Sequence, residues 1–204
     1  MYVDKTKIVL GYFLAHIRRK IENLINVFRF VSRFNDCLIC SPLELNLSNL
    51  DNVHISEKVI IRANSMLRIL DDCQLYVGEG TYISPYCHIS GAKNRIIIGR
   101  GVMIGDRVFI SSSHHRYDDI TKHIDRQGFT SKGDVVIGDG CFIGIGSCIL
   151  SGVNIGEHSI VGANSVVTHN IPSYSVAAGN PARVIKQYDF VEKKWLSKDK
   201  AYAI

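Results

Sequence analysis

The chain has 204 residues, of which 46% are hydrophobic and 21% charged, and its formal net charge is +5. This composition excludes an intrinsically disordered chain, which would have fewer apolar residues and a larger charge imbalance, and it predicts one compact domain. No segment approaches the ~20 consecutive apolar residues of a transmembrane helix, so none is predicted.

The positive charge is concentrated at one end of the sequence. Residues 1–34 carry seven basic and two acidic residues, whereas the remaining 170 residues are electrically neutral. A nucleic-acid-binding domain needs a basic face, which this distribution does not favour. We therefore predict no nucleic-acid partner.

Residues 1–34 also have the pattern of an amphipathic helix. Apolar residues recur at alternating spacings of four and three, which places them on one helical face: Leu10, Leu14, Ile17, Ile21, Leu24, Phe28 and Val31. Arg18, Arg29 and Arg33 lie on the neighbouring flank. This face either docks on the rest of the chain or a partner subunit, or lies on an anionic membrane.

The same segment bears on localisation. Residues 8–15 resemble a short signal-peptide core, but basic residues follow without a small-residue cleavage site. We expect a cytoplasmic protein, with peripheral contact to the inner membrane through residues 1–34 as the membrane alternative.

The cysteines do not indicate a metal site. Six are scattered through the chain, and only Cys37 and Cys40 form a CxxC pair, without a second pair at zinc spacing. Such a distribution fits reduced thiols that pack as small hydrophobic residues. We predict neither a metal ion nor a disulfide framework.

The main signal is an aliphatic residue that recurs every six positions, often followed by glycine. These residues are Ile55, Ile61, Leu67, Val77, Ile83, Ile89, Ile98, Ile104, Ile110, Ile137, Ile143, Ile149, Ile155, Val161 and Val167. A six-residue unit is too short for a helix, and β-branched residues favour short strands. Three units close a triangular coil, and coils stack into a solenoid. Fifteen units predict five coils.

The repeat is interrupted three times. Four extra residues separate Leu67 from Val77, three separate Ile89 from Ile98, and twenty-one separate Ile110 from Ile137. Insertions in a solenoid form loops that project from one face and often carry function. The longest insertion, at about residues 113–134, is therefore the first place to look for a site.

Residues 135–186, VVIGDGCFIGIGSCILSGVNIGEHSIVGANSVVTHNIPSYSVAAGNPARVIK, resemble the hexapeptide-repeat acyltransferases. The earlier motif ISSSHHRYDDITKHIDRQG is similar to the galactoside and maltose acetyltransferases and to polysaccharide O-acetyltransferases. The resemblance implies an all-β solenoid built as a left-handed parallel β-helix, a homotrimer and acetyl-CoA as co-substrate. The expected organisation is a helical segment at 1–34, a β-helix domain at 35–186 and a tail at 187–204.

The resemblance also assigns a catalytic residue. In the family motif the catalytic histidine falls seven residues after the β-branched residue that precedes the last inward aliphatic position. That residue is Val108 here, so His115 is the expected general base, and His114 is expected to shape the turn. Histidine suits this task near neutral pH. A serine nucleophile among residues 111–113 is the less favoured alternative, because no glycine-flanked elbow surrounds them.

Family contacts with acetyl-CoA, carried over by position, fall on Gly144, Ala163, Thr168, His169, Arg183 and Lys186. The backbone of Gly144 would pair with the pantetheine chain, and Arg183 and Lys186 would meet the phosphates. The family often has lysine where this chain has His169. The acceptor residues of the sugar acetyltransferases do not align with this chain. Tyr86, Tyr117 and Asp118 are candidates only, and a carboxylate of the long loop is expected to orient His115.

The predicted function is acetyl-CoA-dependent O-acetylation of a sugar hydroxyl in a surface polysaccharide or its precursor, by direct transfer. One alternative is N-acetylation of a nucleotide-linked amino sugar by the same fold and histidine. An alternative of another class is a zinc hydratase of the γ-carbonic-anhydrase type. A purely structural solenoid is disfavoured, because a long insertion with paired histidines gives such a repeat no advantage.

Overall fold

The computed structural model describes residues 5–198, without the side chains of residues 5–13 and Arg19. It begins with helix α1, Lys5–Arg33. The strands that follow are β1 (Leu38–Ile39), β2 (Leu43–Leu47), β3 (Val53–Ile55), β4 (Ile60–Ile61), β5 (Ser65–Ile69), β6 (Gln74–Val77), β7 (Tyr82–Ile83), β8 (His88–Gly91), β9 (Arg95–Ile98), β10 (Met103–Ile104), β11 (Phe109–Ser111), β12 (His114–His115), β13 (Phe129–Thr130), β14 (Val135–Ile137), β15 (Phe142–Ile143), β16 (Cys148–Ile149), β17 (Asn154–Ile155), β18 (Ile160–Val161), β19 (Val166–Val167), β20 (Ser175–Gly179), β21 (Ala182–Asp189) and β22 (Lys194–Ser197). Short 3-10 helices span Leu50–Asn52 and Ile124–Arg126.

The parallel strands form the three faces of a β-helix. Face A contains β1, β4, β7, β10, β15, β18 and β20; face B contains β2, β5, β8, β11, β16 and β19; face C contains β3, β6, β9, β14 and β17. Neighbouring strands on each face pair in parallel and belong to successive coils. The chain therefore turns at an A–B, a B–C and a C–A corner in each coil. The predicted all-β solenoid with an N-terminal helix is confirmed.

The periodic aliphatic residues fill the interior and fix the register. On face C, Ile55, Val77, Ile98, Ile137 and Ile155 occupy one continuous ladder. This ladder crosses all three interruptions of the repeat, so the inserted residues leave the interior stacking intact. Burial of each aliphatic side chain contributes about 1.5–3 kcal/mol, which makes this stacking the main source of stability.

Glycine after the inward residue has a steric cause. A Cβ at Gly138 would lie 2.5 Å from the backbone nitrogen of Glu157, and one at Gly144 would lie 2.6 Å from that of Ala163. Both neighbours belong to the next coil. Since adjacent parallel strands are only about 4.8 Å apart, the turn has no room for a side chain at this position.

The predicted number of coils was too low. The described chain forms about six coils, because β1 and β2 complete a first coil with β3, and the six-residue spacing revealed only Ile55 of this coil. Inward leucines in β2 occur every two residues, as in an ordinary strand. The last coil is completed by Ile171, which bridges to Ile155, and by Ala177, which pairs with Val161.

The long insertion projects from the B–C corner between β11 and β14. Its two arms, β12 and β13, pair antiparallel and connect through the 3-10 helix Ile124–Arg126. Side chains fasten its base to the coil. Ser131 Oγ donates to the Ser112 carbonyl oxygen (2.5 Å) and accepts from the Gly133 N–H (3.1 Å). The insertion is therefore an ordered hairpin rather than a slack connection.

Helix α1 covers the free edge of the first coil. Phe30 is completely buried in the core, and the Asn23 side chain pairs with the edge strand β2. Asn23 Nδ2 donates to the Leu43 carbonyl (3.2 Å), and its Oδ1 accepts from the Leu45 N–H (2.9 Å). The face predicted from spacing does not dock on this chain. Its described residues, from Leu14 to Val31, are exposed, and the Leu10 side chain lies outside the described part.

The segment after residue 186 contains more structure than the expected tail. Strand β21 turns back antiparallel on β20, and β22 pairs with β21, which extends face A. Ala182 and Val184 pack against the end of the core. Residues 199–204 of the predicted tail lie outside the described residues.

The cysteines behave as small hydrophobic side chains. All six are free, and Cys73, Cys87 and Cys141 are buried. Burial raises the pKa of the Cys87 thiol to about 11, which keeps it protonated and unreactive near neutral pH. Within residues 5–198 no helix has the length and apolar content needed to cross a membrane.

Candidate active site

The hairpin at the B–C corner presents His115 to solvent. His115 lies in β12 opposite Phe129 of β13, and their ring centroids are 4.5 Å apart. The side chain is exposed, and within the described chain its imidazole nitrogens form no hydrogen bond. A neutral imidazole held by one ring face keeps both nitrogens available to a bound molecule, as a general base requires.

His114 occupies a different environment one residue earlier. Its side chain is half-buried, with Nδ1 3.5 Å from the Ser151 hydroxyl of the next coil. Its ring centroid is 6.4 Å from that of Tyr117. These contacts agree with a role for His114 in shaping the turn. They also place the two adjacent histidines on opposite sides of the short strand, as strand alternation requires.

The three serines before the hairpin are occupied in holding its base. Ser111 Oγ donates to the Ser113 carbonyl (2.7 Å), and the fully buried Ser112 donates to the Lys93 carbonyl (2.7 Å). Ser113 Oγ accepts from the Ala92 N–H (3.0 Å). None of these hydroxyls forms a hydrogen bond with a histidine in the described chain, so the geometry does not support a serine nucleophile.

The expectation that a loop carboxylate orients His115 does not match the structure. Asp118 pairs with Arg116 at 2.6 Å, and Asp119 pairs with Thr121 and Lys122. These hydrogen bonds hold the pKa values of both carboxyls below their usual range. Both groups stabilise the loop itself. Phe129, which the sequence reasoning did not single out, is the residue that contacts His115.

Arg68 is a second residue that the sequence did not reveal. It points outward from β5 on face B, and its guanidinium carbon lies 6.0 Å from the Phe129 ring centroid. This cation–π contact joins the hairpin to a strand two coils away in the stack. The only sequence signal was alternation in β5, where Arg68 stands between two inward aliphatic residues.

Two of the residues expected to bind acetyl-CoA, Gly144 and Ala163, lie at the A–B corner. Gly144 follows β15 and Ala163 follows β18, in adjacent coils. The Gly144 N–H is already used, since it donates to the Val161 carbonyl at 2.8 Å. Ala163 is exposed, and its N–H has no acceptor among the described residues. Ala163 therefore offers a backbone donor, whereas the Gly144 carbonyl oxygen already accepts from the Ser147 N–H at 3.3 Å and has one lone pair left for a ligand.

Thr168 and His169 lie instead at the B–C corner, two coils beyond the hairpin. Their side chains are joined, with Thr168 Oγ1 2.8 Å from His169 Nδ1. His169 and Arg183 line one pocket of about 350 Å³ at the end of the β-helix. The structure thus brings together two of the residues that the resemblance assigns to acetyl-CoA binding.

Lys186 reaches the same side of β21 as Arg183 because of a β-bulge. Residues three apart on a regular strand point in opposite directions. Here Arg183 pairs with Ala178 and Lys186 with Val176, with a register shift between Val176 and Ala177. Since Val176 and Ala178 face the same side, both cations do too.

The acceptor candidates are not gathered at one point of the chain. Tyr117 and Asp118 belong to the hairpin, and Tyr117 is largely exposed. Tyr86 lies at the A–B corner between β7 and β8, where its ring stacks under the Arg107 guanidinium at 5.8 Å. Within one chain, Tyr86 and His115 thus occupy different corners of the β-helix.

Comparison with known proteins places the chain in a family. Residues 134–169 match the model described as bacterial transferase hexapeptide (six repeats). The galactoside O-acetyltransferase of Escherichia coli K12 is 33% identical over 144 residues, which cover 60% of this chain and 68% of that protein. The chain belongs to the hexapeptide-repeat transferase family. A putative lipopolysaccharide biosynthesis O-acetyl transferase, WbbJ, of the same organism is 32% identical over 59% of this chain and 64% of its own length.

A solved structure of the family fold is also similar. The N-acyltransferase AntD from Bacillus cereus, in complex with dTDP and 3-hydroxybutyryl-CoA, superimposes with a TM-score of 0.59 at 22% identity and covers 77% of this chain and 80% of that one. At this identity the likeness concerns the fold. The chain spans 42%, 64% and 56% of the length of three curated relatives that it matches.

Proposed function

We propose that this protein is an acetyl-CoA-dependent O-acetyltransferase that modifies a hydroxyl of a surface polysaccharide or its precursor. The observation that carries the proposal is the exposed His115 imidazole, which packs on Phe129 and has no hydrogen-bond partner within the described chain. The sequence relatives named as galactoside and lipopolysaccharide O-acetyltransferases support the acetyl group and the saccharide acceptor. They also favour a transferase over the zinc-hydratase alternative.

His115 would act as the general base in a direct transfer. Its imidazole takes the proton of the acceptor hydroxyl while the hydroxyl oxygen attacks the thioester carbonyl carbon. The tetrahedral intermediate collapses, the carbon–sulfur bond breaks, and the imidazolium returns the proton to the CoA thiolate. A backbone N–H suffices to stabilise the developing oxyanion. The acetyl group passes directly from CoA to the acceptor, so the reaction requires no covalent enzyme intermediate.

We infer that the active site forms between subunits of a homotrimer. His115 and Thr168 belong to the B–C corner, whereas Gly144 and Ala163 belong to the A–B corner. A single narrow β-helix holds these two corners apart, so one acetyl-CoA molecule would meet both only where two subunits adjoin.

The surface of the β-helix supports this arrangement. Met103 and Phe142 on face A are 54% and 41% exposed, and Ile145 at the A–B corner is 44% exposed. The C–A corner instead carries ion pairs between successive coils, such as Arg100 with Asp139. An apolar side and a charged side are expected when one side is covered by a neighbouring subunit.

At the phosphate end, His169, Arg183 and Lys186 would bind acetyl-CoA through charge-assisted hydrogen bonds. Arg183 is exposed and has no carboxylate partner in the described chain; its Nη1 donates only to the Ala182 carbonyl. Its charge is therefore available to a phosphate.

An acceptor screen tests the proposal. The purified protein is incubated with acetyl-CoA and a panel of sugars, oligosaccharides and nucleotide-linked amino sugars, and CoA release is measured with His115→Ala as control. O-acetylated saccharide formed only by the parent protein supports the proposal. Transfer confined to amino groups would establish the N-acetyltransferase alternative instead, and transfer that survives in the variant would contradict His115 as the base.

A further inference from the structure

Helix α1 has two apolar sides, and only one of them is covered. Successive residues of a helix are 100° apart, which puts Val27 and Phe30 towards the β-helix and Leu24 and Phe28 on the other side. Phe30 is fully buried, whereas Leu24 and Phe28 are 69% and 72% exposed. The exposed residues that share this side form what we term the outer face: Leu14, Ile17, Ile21, Leu24, Phe28 and Val31.

The outer face is too large to be incidental. From Leu14 to Phe28 it runs about 21 Å along the helix at ~1.5 Å per residue. Soluble monomers seldom leave a continuous apolar stripe of this kind unless it binds something. The fold gives no reason for it either, because Asn23 and Phe30 already fasten the helix to the first coil.

Basic residues border the outer face on both sides. By helical position, Arg18 and Arg29 lie along one edge and Lys20 along the other. Within the described residues, neither Lys20 nor Arg29 forms an ion pair. The whole net charge of the protein, +5, arises from residues 1–34. Cationic edges around an apolar stripe are the composition of a helix that lies in the interface of an anionic bilayer.

The position of α1 in the fold favours a membrane over a second copy of the chain. The helix lies on the free edge of the first coil, with its outer face directed away from the stacked coils. Subunits that assemble side by side along the β-helix would leave this end open. Two copies paired through their outer faces would instead bring the basic edges of both helices together, which like-charge repulsion opposes.

We propose that the outer face of α1 binds the surface of an anionic membrane, with the helix axis parallel to the bilayer plane. Leu24 and Phe28 enter the boundary between headgroups and acyl chains, and Lys20 and Arg29 meet lipid phosphates. The β-helix then stands on the bilayer through its first coil. This attachment is independent of the reaction that the protein catalyses.

Co-sedimentation of the full chain with vesicles tests the proposal. Vesicles of phosphatidylcholine alone are compared with vesicles that also contain phosphatidylglycerol, at low and high salt. The double variant Leu24→Ser with Phe28→Ser is compared with the control Val191→Ser, which removes a 92% exposed apolar side chain in the β21–β22 turn. At low salt we expect the parent and the control to bind the anionic vesicles, and the double variant to bind them at least tenfold more weakly. High salt should weaken the binding of every protein to these vesicles at least tenfold.

Light scattering and circular dichroism on the same samples complete the test. The double variant should keep the parent's mass and spectrum, since both side chains are largely exposed and lie outside the core. A lower mass for the double variant, with vesicle binding unchanged, would show that a second copy covers the outer face and would overturn the proposal. Equal binding to neutral and anionic vesicles, or no binding by the parent, would overturn it as well.

Discussion

The C–A corner and the hairpin at the B–C corner use polar side chains in opposite ways. At the C–A corner, Lys58 pairs with Glu79 at 2.6 Å and Arg100 with Asp139 at 2.6 Å, each pair joining successive coils. At the hairpin, Asp118 and Asp119 bond within the loop, and His115 packs on the Phe129 ring without a hydrogen bond to any residue that the structure describes. The ion pairs at the C–A corner hold successive coils together, whereas the exposed His115 imidazole is free to act on a substrate.

The contrast between the two regions predicts the largest loss of activity for a substitution of His115. His115→Ala should lower kcat by about 10²- to 10⁴-fold, the usual contribution of a general base, with the KM for acetyl-CoA near the parent value. His114→Ala is the matched control and should chiefly affect stability, because it loses the contact with Ser151. Steady-state kinetics of both variants decides the matter. An inactive His114→Ala beside a nearly normal His115→Ala would reverse the assignment.

The next largest effect is expected at the phosphate end. Arg183→Ala and Lys186→Ala should each raise the KM for acetyl-CoA by about ten- to a hundredfold, because a hydrogen bond to a charged group contributes roughly 1.5–3 kcal/mol. The KM for the acceptor should change little. Lys193→Ala, a basic residue in the β21–β22 turn, serves as control. Equal increases in the KM for acetyl-CoA and in the KM for the acceptor would mean that the CoA phosphates bind elsewhere.

A smaller loss of activity is expected at Phe129, the ring on which His115 packs. Phe129→Ala should lower kcat by about two- to tenfold, since an aromatic contact of this kind contributes roughly 0.5–1.5 kcal/mol. Phe129→Tyr keeps the ring and should restore most of the activity. Arg68→Ala should lower kcat by a similar factor, because it removes the cation–π contact between Arg68 and the Phe129 ring. If the alanine variant at Phe129 were as active as the parent, the ring would not position His115.

The two regions also differ in how far the sequence predicts them. The coils follow from a strict spacing of Ile, Leu and Val, because a side chain that faces inward in one coil must stack on its equivalents in the next. The register on face C, from Ile55 to Ile155, was predictable for this reason. Strand β2 of the first coil was missed because its leucines alternate as in any strand.

The site was predictable only in part. His115 followed from a resemblance in the motif around Val108, whereas the partner of its ring depends on how β12 and β13 pair across a loop without a repeat. Arg183 and Lys186 are three residues apart, and only the bulge in β21, which the sequence does not reveal, puts both on one face. The exposed side of α1 illustrates the same limit. Periodicity found an apolar face but could not show that Phe30, on the other side, makes the docking contact.

The smallest effect is expected at the C–A corner, where Asp139 accepts hydrogen bonds from the backbone and side chain of Arg100. These bonds lower the pKa of the Asp139 carboxyl in the folded protein. A lowered pKa stabilises the fold above the unfolded value of about 3.9, and this contribution is lost as the pH falls through the folded value. Because both side chains are exposed, Asp139→Asn should cost at most about 1 kcal/mol at pH 7.

Urea unfolding of the parent and of Asp139→Asn at pH 7 and at pH 3 measures this difference. The two midpoints should differ at pH 7 and converge in acid, because protonation removes the same charge that the substitution removes. Glu57→Gln, at the same corner and without an ion pair in the described chain, is the control and should be neutral at both pH values. A gap that stays constant down to pH 3 would mean that Asp139 stabilises the corner through hydrogen bonds that Asn cannot make, and not through its charge.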